Sequence, residues 1–212
     1  MDKYLLDLIN KMNDTGDQKM EAGYDNTKTI SWNALREAEK LENKDFISPL
    51  ITFADNEKDK KKRDKAYFIL SHIAKNIGDT IAVNYLINRI DKETDKYIIA
   101  SLLDTISNLK KPIGTDLQPI ITATKSDKWL IRHSAIRALN NSVDEIAETT
   151  LIKILDNSDD PFDLTYANAT LNKIGTIRAI PYLEKHLKSR KRDVKDSAEF
   201  AIEEINKRNT QD

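Results

Sequence analysis

Cysteine is absent from the 212 residues. That absence excludes structural disulfides and metal sites held by thiolates, and it leaves the redox compartment unread. Glycine and proline occur only five times each, too few for many hairpins and enough to punctuate a helical array. The glycines are isolated, so no phosphate-cradling loop is present, and no Gly-x-Ser-x-Gly elbow occurs. No apolar run approaches the ~20 residues that span a bilayer. The opening Met1-Asp2-Lys3-Tyr4-Leu5-Leu6-Asp7 is too polar for a signal peptide. The expected location is therefore the cytoplasm, with no membrane partner. Neither sign of charge dominates: 34 Lys and Arg stand against 35 Asp and Glu. A chain so balanced has no general attraction to a polyanion. The three histidines, His72, His133 and His186, share no compact ligand spacing such as His-Glu-x-x-His. No catalytic residue, metal or cofactor is expected, and the chain reads as a non-enzyme.

What the sequence does have is a period. Phe46-Ile47-Ser48-Pro49-Leu50-Ile51, Ile81-Ala82-Val83-Asn84-Tyr85-Leu86, Leu117-Gln118-Pro119-Ile120-Ile121 and Ala179-Ile180-Pro181-Tyr182-Leu183 each open an apolar run. A charged break follows each run, and then a second apolar run at helical spacing. Pro49 and Pro119 stand two periods of about 35 residues apart, with Asn84 midway. A unit of this size cannot bury its apolar face alone; it stacks on its neighbours. A third of the residues are charged and 39% are apolar, which suits a chain able to bury a continuous core.

Residues 2–13 predict an amphipathic helix, residues 14–30 a long polar loop, and Ser31 the cap of a helix carrying Trp32, Leu35, Ala38 and Leu41. Five helix pairs follow, over 45–55 and 59–77, 80–91 and 95–109, 116–125 and 128–141, 144–156 and 161–174, and 177–188 and 192–207. Asp79, Thr115, Asp144 and Thr176 stand where units begin and read as caps. Gly78, Gly114 and Gly175 precede three of them as stops. Lys110-Lys111-Pro112-Ile113-Gly114 lengthens the second junction.

Ile131-Arg132-His133-Ser134-Ala135-Ile136-Arg137-Ala138-Leu139 resembles the second helix of a HEAT repeat. Ile174-Gly175-Thr176-Ile177-Arg178-Ala179-Ile180-Pro181-Tyr182-Leu183 resembles the junction and first helix of the next. The style is closest to the short bacterial repeat also found in phycobilisome lyases, and the resemblance covers residues 31–207. It implies an all-α, right-handed α-α superhelix of about five helix pairs. One domain would span 1–212, with a helical cap and loop over 1–44, repeats over 45–207 and a tail over 208–212. It also implies an Asp–Arg ladder between units, which Asp127 with Arg132 fits and Asp193 with Lys195 fits less well. The remaining stack is expected to rest on Ile69, Ile73, Leu102, Ile106, Leu139, Leu171 and Ile202.

A HEAT scaffold implies a binding surface on the concave face, lined by the second helices. In that register the polar row runs His72 and Lys75, Asp104 and Asn108, His133, Arg137 and Asn141, Thr170 and Lys173, then Glu199 and Glu203. Mixed charge suits a protein segment better than nucleic acid. The basic turns Lys58–Lys65 and Lys188–Arg192 offer contacts to phosphates or acidic partners, but Asp156-Asn157-Ser158-Asp159-Asp160 fills the equivalent turn of the fourth unit with acid. Asp127, Trp129 and Arg132 supply the residue types of HEAT-like DNA glycosylases, within six residues. Trp129 reads more simply as an inter-repeat packing residue, and Trp32 as part of a core stripe. The expected function is a non-catalytic scaffold or adaptor with a protein partner. Nucleic-acid binding of the glycosylase kind is the alternative, and a lyase subunit acting with a partner chain is a third reading.

Overall fold

A computed structural model describes residues 2–16, 27 and 29–210. Among these residues the chain forms twelve α-helices and no strand. They are α1 (Lys3–Met12), α2 (Ile30–Ala38), α3 (Ile47–Asn56), α4 (Lys60–Ile77), α5 (Thr80–Arg89) and α6 (Lys96–Ile106). Then come α7 (Gln118–Ala123), α8 (Trp129–Ala138), α9 (Glu145–Asn157), α10 (Pro161–Ile174), α11 (Ile180–Glu184) and α12 (Arg192–Asn209). Short 3-10 turns lead into α3 and α11 and extend α11 to Lys188. No described helix is long and apolar enough to cross a membrane. The chain divides into two compact units, Met1–Leu86 and Ile87–Asp212.

In the first unit α1 buries Leu5, Leu8, Ile9 and Met12. Their spacing puts one apolar stripe on a helix that is otherwise polar. α4 buries Tyr67, Ile69, Leu70 and Ile73, and α3 packs along it. Gly78 ends α4 at φ 71, a left-handed backbone that glycine adopts without a Cβ clash. The Asn76 amide donates to the carbonyls of Glu39 and Leu41, at 2.9 and 3.0 Å, and so holds the end of α2 against α4. The cap of α2 is Thr29, not Ser31: its hydroxyl accepts from the Trp32 N–H at 3.1 Å. Trp32 lies at the surface edge, 36% exposed, with the Arg36 guanidinium 5.4 Å from its ring centre. The core stripe of α2 is formed by Ala34 and Ala38. Most of the expected loop over 14–30 lies outside the described residues.

In the second unit each long second helix packs on the next: α6 on α8, α8 on α10, α10 on α12. The interface is built from Leu102, Ile106, Ala135, Leu139, Ala167, Leu171, Ala198 and Ile205, none more than 1% exposed. Small alanines recur at the crossings, so neighbouring helices approach closely. Ile202 is half-exposed rather than buried: among the described residues no helix beyond α12 covers that flank. Asp144 and Thr176 cap as the sequence suggested. Thr115 does not; Asp116 takes the Gln118 N–H at 2.9 Å instead. Gly175 stops α10 in extended backbone, where an added Cβ would stand 2.6 Å from the Leu171 carbonyl oxygen.

The junction insert is a structural tie. Lys111 pairs with the α8–α9 connection through an isolated bridge to Ser142. Its N–H donates to Asn141 O at 2.9 Å, and its carbonyl accepts from Val143 N at 3.0 Å. Asn141 turns the chain at φ 58 and donates from its amide to Ser107 O at 2.9 Å. The Lys111 side chain is fully buried. Its Nζ donates to the carbonyls of Ile106 and Leu109, at 3.0 and 2.7 Å, just past the end of α6.

Candidate functional site

The most chemically loaded region of the second unit lies where α8 and α10 begin. Arg132, in the first turn of α8, reaches across to α10. Its Nε stands 2.9 Å from both carboxylate oxygens of Asp163 and its Nη2 2.9 Å from Asp160. Nη1 donates to Ser126 O at 3.0 Å. Ser158 adds its hydroxyl to Asp163 at 3.1 Å. The ladder between units is formed here by Arg132 with Asp160 and Asp163 of the following unit. An arginine fork satisfies two carboxylates at once, and here it ties two successive units together. Burial raises the Asp160 carboxyl, but the Phe162 N–H and Arg132 pull it below its ordinary value.

His133 sits in the middle of this cluster and is buried. Its ring lies 5.7 Å from Trp129, 5.9 Å from Phe162 and 5.1 Å from Tyr166. Burial holds its pKa below the ordinary value despite the nearby Asp163, so the neutral imidazole prevails at neutral pH. Nε2 approaches Asp163 Oδ1 to 3.0 Å without the angle of a hydrogen bond. His133, Asp160 and Asp163 bring three potential ligand atoms within 4.8 Å of one another. The set fits a cation poorly, because the Arg132 guanidinium already occupies both carboxylates. A metal would have to displace it or lie beside its positive charge.

Further along the helices, Arg137 stacks on Tyr166 at 5.3 Å and pairs with Asp104 of α6 at 2.6 Å. The structure thus brings together His133, Arg137 and Asp104. Asn108, two residues past the end of α6, is exposed and its amide donates back to Asp104 O at 3.2 Å. Asn141 is absorbed by the junction tie, and Thr170 is buried against Ile136 O at 3.3 Å. Lys173, Glu199 and Glu203 are exposed. In the first unit Lys75 is exposed and His72 half-buried, its ring 4.4 Å from Phe68 and its pKa lowered by burial.

The residues that sequence reasoning missed are aromatic. Trp129 is 64% exposed, so it is not an inter-repeat packing residue. At the first position of α8 it stands above the stacked interface and covers His133. Tyr97 and Phe162, 64% and 62% exposed, occupy the first turns of α6 and α10. An aromatic opening three successive second helices was readable from the sequence once the helices were aligned. The hydrophobic pattern hid it by suggesting core.

Residues 117–203 match a family model described as HEAT repeats. No curated protein matches the chain. Among solved structures, a designed armadillo repeat protein is similar at 18% identity and TM-score 0.54, covering 95% of this chain and 100% of its own. Computationally designed armadillo repeat proteins for modular peptide recognition are similar at 17% identity and TM-score 0.54, with coverages of 95% and 100%. An engineered protein is similar at 19% identity and TM-score 0.54, with coverages of 98% and 100%. At such identities the likeness is one of fold. The fold is that of an all-α repeat solenoid, and residues 117–203 are its HEAT-like part.

Proposed function

We propose that the chain is a non-catalytic scaffold or adaptor that holds an extended segment of another protein across the second helices α6, α8 and α10. The observation that carries this reading is the exposed Trp129 beside buried His133, with Arg137 braced by Tyr166 and Asp104. Rigid aromatic rings offer contact area at small conformational-entropy loss, and a braced arginine presents its donors without searching for them. Asn108, Lys173, Glu199 and Glu203 would supply polar contacts further along. Their mixed signs favour a protein partner over a polyanion. No residue of the cluster needs to react for this role: Arg132 and its carboxylates are saturated by one another.

The test is selection of displayed peptides of about 12 residues, long enough at ~3.3 Å per residue to cross several helices. Binders are then titrated against the parent and the Trp129→Ala, Arg137→Glu double variant. Loss of affinity of tenfold or more, about 1.4 kcal/mol, supports the site. Affinity unchanged in the double variant moves binding off this face. Tight duplex-DNA binding with a steep salt slope rejects the scaffold and promotes the nucleic-acid alternative.

A further inference from the structure

A second surface lies beside the first and has different chemistry. The turn before α12 carries Lys188, Arg190 and Lys191, and α12 opens with Arg192, all exposed. Lys185, just before it, is paired with Asp156 at 2.7 Å, and Arg192 reaches Asp196 at 3.2 Å. Among the described residues, Lys188, Arg190 and Lys191 form no ion pair. Lys191 occupies the N-cap position of α12 and makes no side-chain cap there. Within the turn the Ser189 N–H donates to His186 O at 3.0 Å and the Lys191 N–H to Ser189 Oγ at 3.2 Å. Three like charges kept together without compensation weaken the free protein slightly and gain from any anionic group that arrives.

Phe162 stands at the same end of this pair of helices, its ring against His133 of α8. The Asn168 amide donates to Val194 O and Ser197 Oγ, at 3.1 and 3.0 Å. Asn172 donates to Phe200 O at 3.0 Å. α10 and α12 therefore run side by side in the same direction, residue 168 level with 194–197 and residue 172 level with 200. Six residues back along α10, roughly 9 Å at 1.5 Å per residue, Phe162 comes level with the basic turn. An apolar ring, 62% exposed, at the start of α10 and three cations without an ion pair before α12 thus stand at the same level on neighbouring helices.

We propose that this patch docks an acidic protein segment carrying an apolar side chain, the side chain on Phe162 and the carboxylates on Lys188, Arg190 and Lys191. Single exposed ion pairs are too heavily screened to hold a partner. Several acting together, beside a ring that excludes water, select for sign and fix the register. Asp159 on the neighbouring turn and Asp193 in the first turn of α12 bound the patch. Glu199 and Glu203 continue the acid along α12. Duplex DNA, with a charge every ~1.7 Å of axis, cannot avoid them. A peptide can place its acids on the turn alone.

The experiment is fluorescence anisotropy on the full chain. It uses a labelled, Asp- and Glu-rich peptide with one central Trp, the same peptide with Ser in place of Trp, and a duplex DNA. Binding of the Trp peptide that weakens with salt is expected. It should fall by about tenfold or more in Lys188→Glu, Arg190→Glu, Lys191→Glu, because both steering and pairing reverse. The neutral Gln triple should lie between. Phe162→Ala should weaken the Trp peptide and leave the Ser peptide unchanged. Trp129→Ala, which belongs to the previous site, should change neither, so the two readings fail separately. All substituted side chains are exposed, and circular dichroism checks that the helices persist. Absence of binding by either peptide overturns the proposal. So does a charge-reversed triple that binds as the parent does, or duplex DNA that binds more tightly than the Trp peptide.

Discussion

Replacing Lys111 by Met should make the protein more stable at neutral pH and erase part of its pH dependence. Lys111 is fully buried, its amine facing two carbonyls and no carboxylate. Burial lowers its pKa from 10.5 to about 7. The unfolded chain keeps the ordinary value, so between these two pH values it binds more protons than the folded chain. Stability therefore rises with pH across that window and is flat in this respect below pH 7. Three to four pKa units at ~1.4 kcal/mol each give an upper limit of roughly 5 kcal/mol. The carbonyls at the end of α6 favour an ammonium by only ~0.3–1 kcal/mol, too little to reverse the sign. Met removes the titration but forfeits two hydrogen bonds, about 1 kcal/mol each. A net gain of ~1–3 kcal/mol at pH 7 is left, falling to a loss near pH 10. Urea unfolding of parent and variant, followed by circular dichroism from pH 6 to 10, measures the difference directly. Other groups titrate in both proteins and cancel. A difference that stays constant from pH 7 to 10 would refute the reasoning.

Asp163→Ala should cost about 1–3 kcal/mol, since it leaves the Arg132 Nε without its acceptor while Asp160 still holds Nη2, whereas Asp156→Ala, at an exposed pair with Lys185, should cost under ~0.5 kcal/mol; denaturant midpoints compare the two. Leu139→Ala should cost about 2–5 kcal/mol, because the side chain is fully buried, and Lys61→Ala no more than ~0.5 kcal/mol. Equal effects from that pair would contradict the packing described. His72, His133 and His186 all have lowered pKa values, with burial the largest cause. Below their ordinary value of 6.5 the unfolded state binds the extra protons, so their contribution to stability falls as pH drops from about 6.5 towards the folded values. A His133→Gln variant with undiminished pH dependence in that window would show that His133 is not part of it.

The sequence alone determined the architecture. A period of about 35 residues, apolar stripes at helical spacing and rare Gly and Pro leave stacked helices as the way to bury those stripes. Local chemistry placed several ends correctly: Gly78, Asp144 and Thr176 act through their own backbone and nearest neighbours, so one dimension is enough to find them. The site was not legible in this way. Whether Trp129 faces inward depends on where the next helix lies, and a tryptophan in a helix's first turn reads as core until α10 is in place. Arg132 takes its carboxylates from Asp160 and Asp163, about thirty residues on; the repeat pattern marked Arg132 as a member of a ladder between units, but only the packing of α10 on α8 names its partners. Lys111 looks in sequence like one more surface lysine in a charged insert. Only the tertiary structure buries it, because pairing with the α8–α9 connection turns its side chain towards the end of α6. Periodicity fixes which residues share a face; side-chain partners are chosen by distances between units, which no single repeat contains.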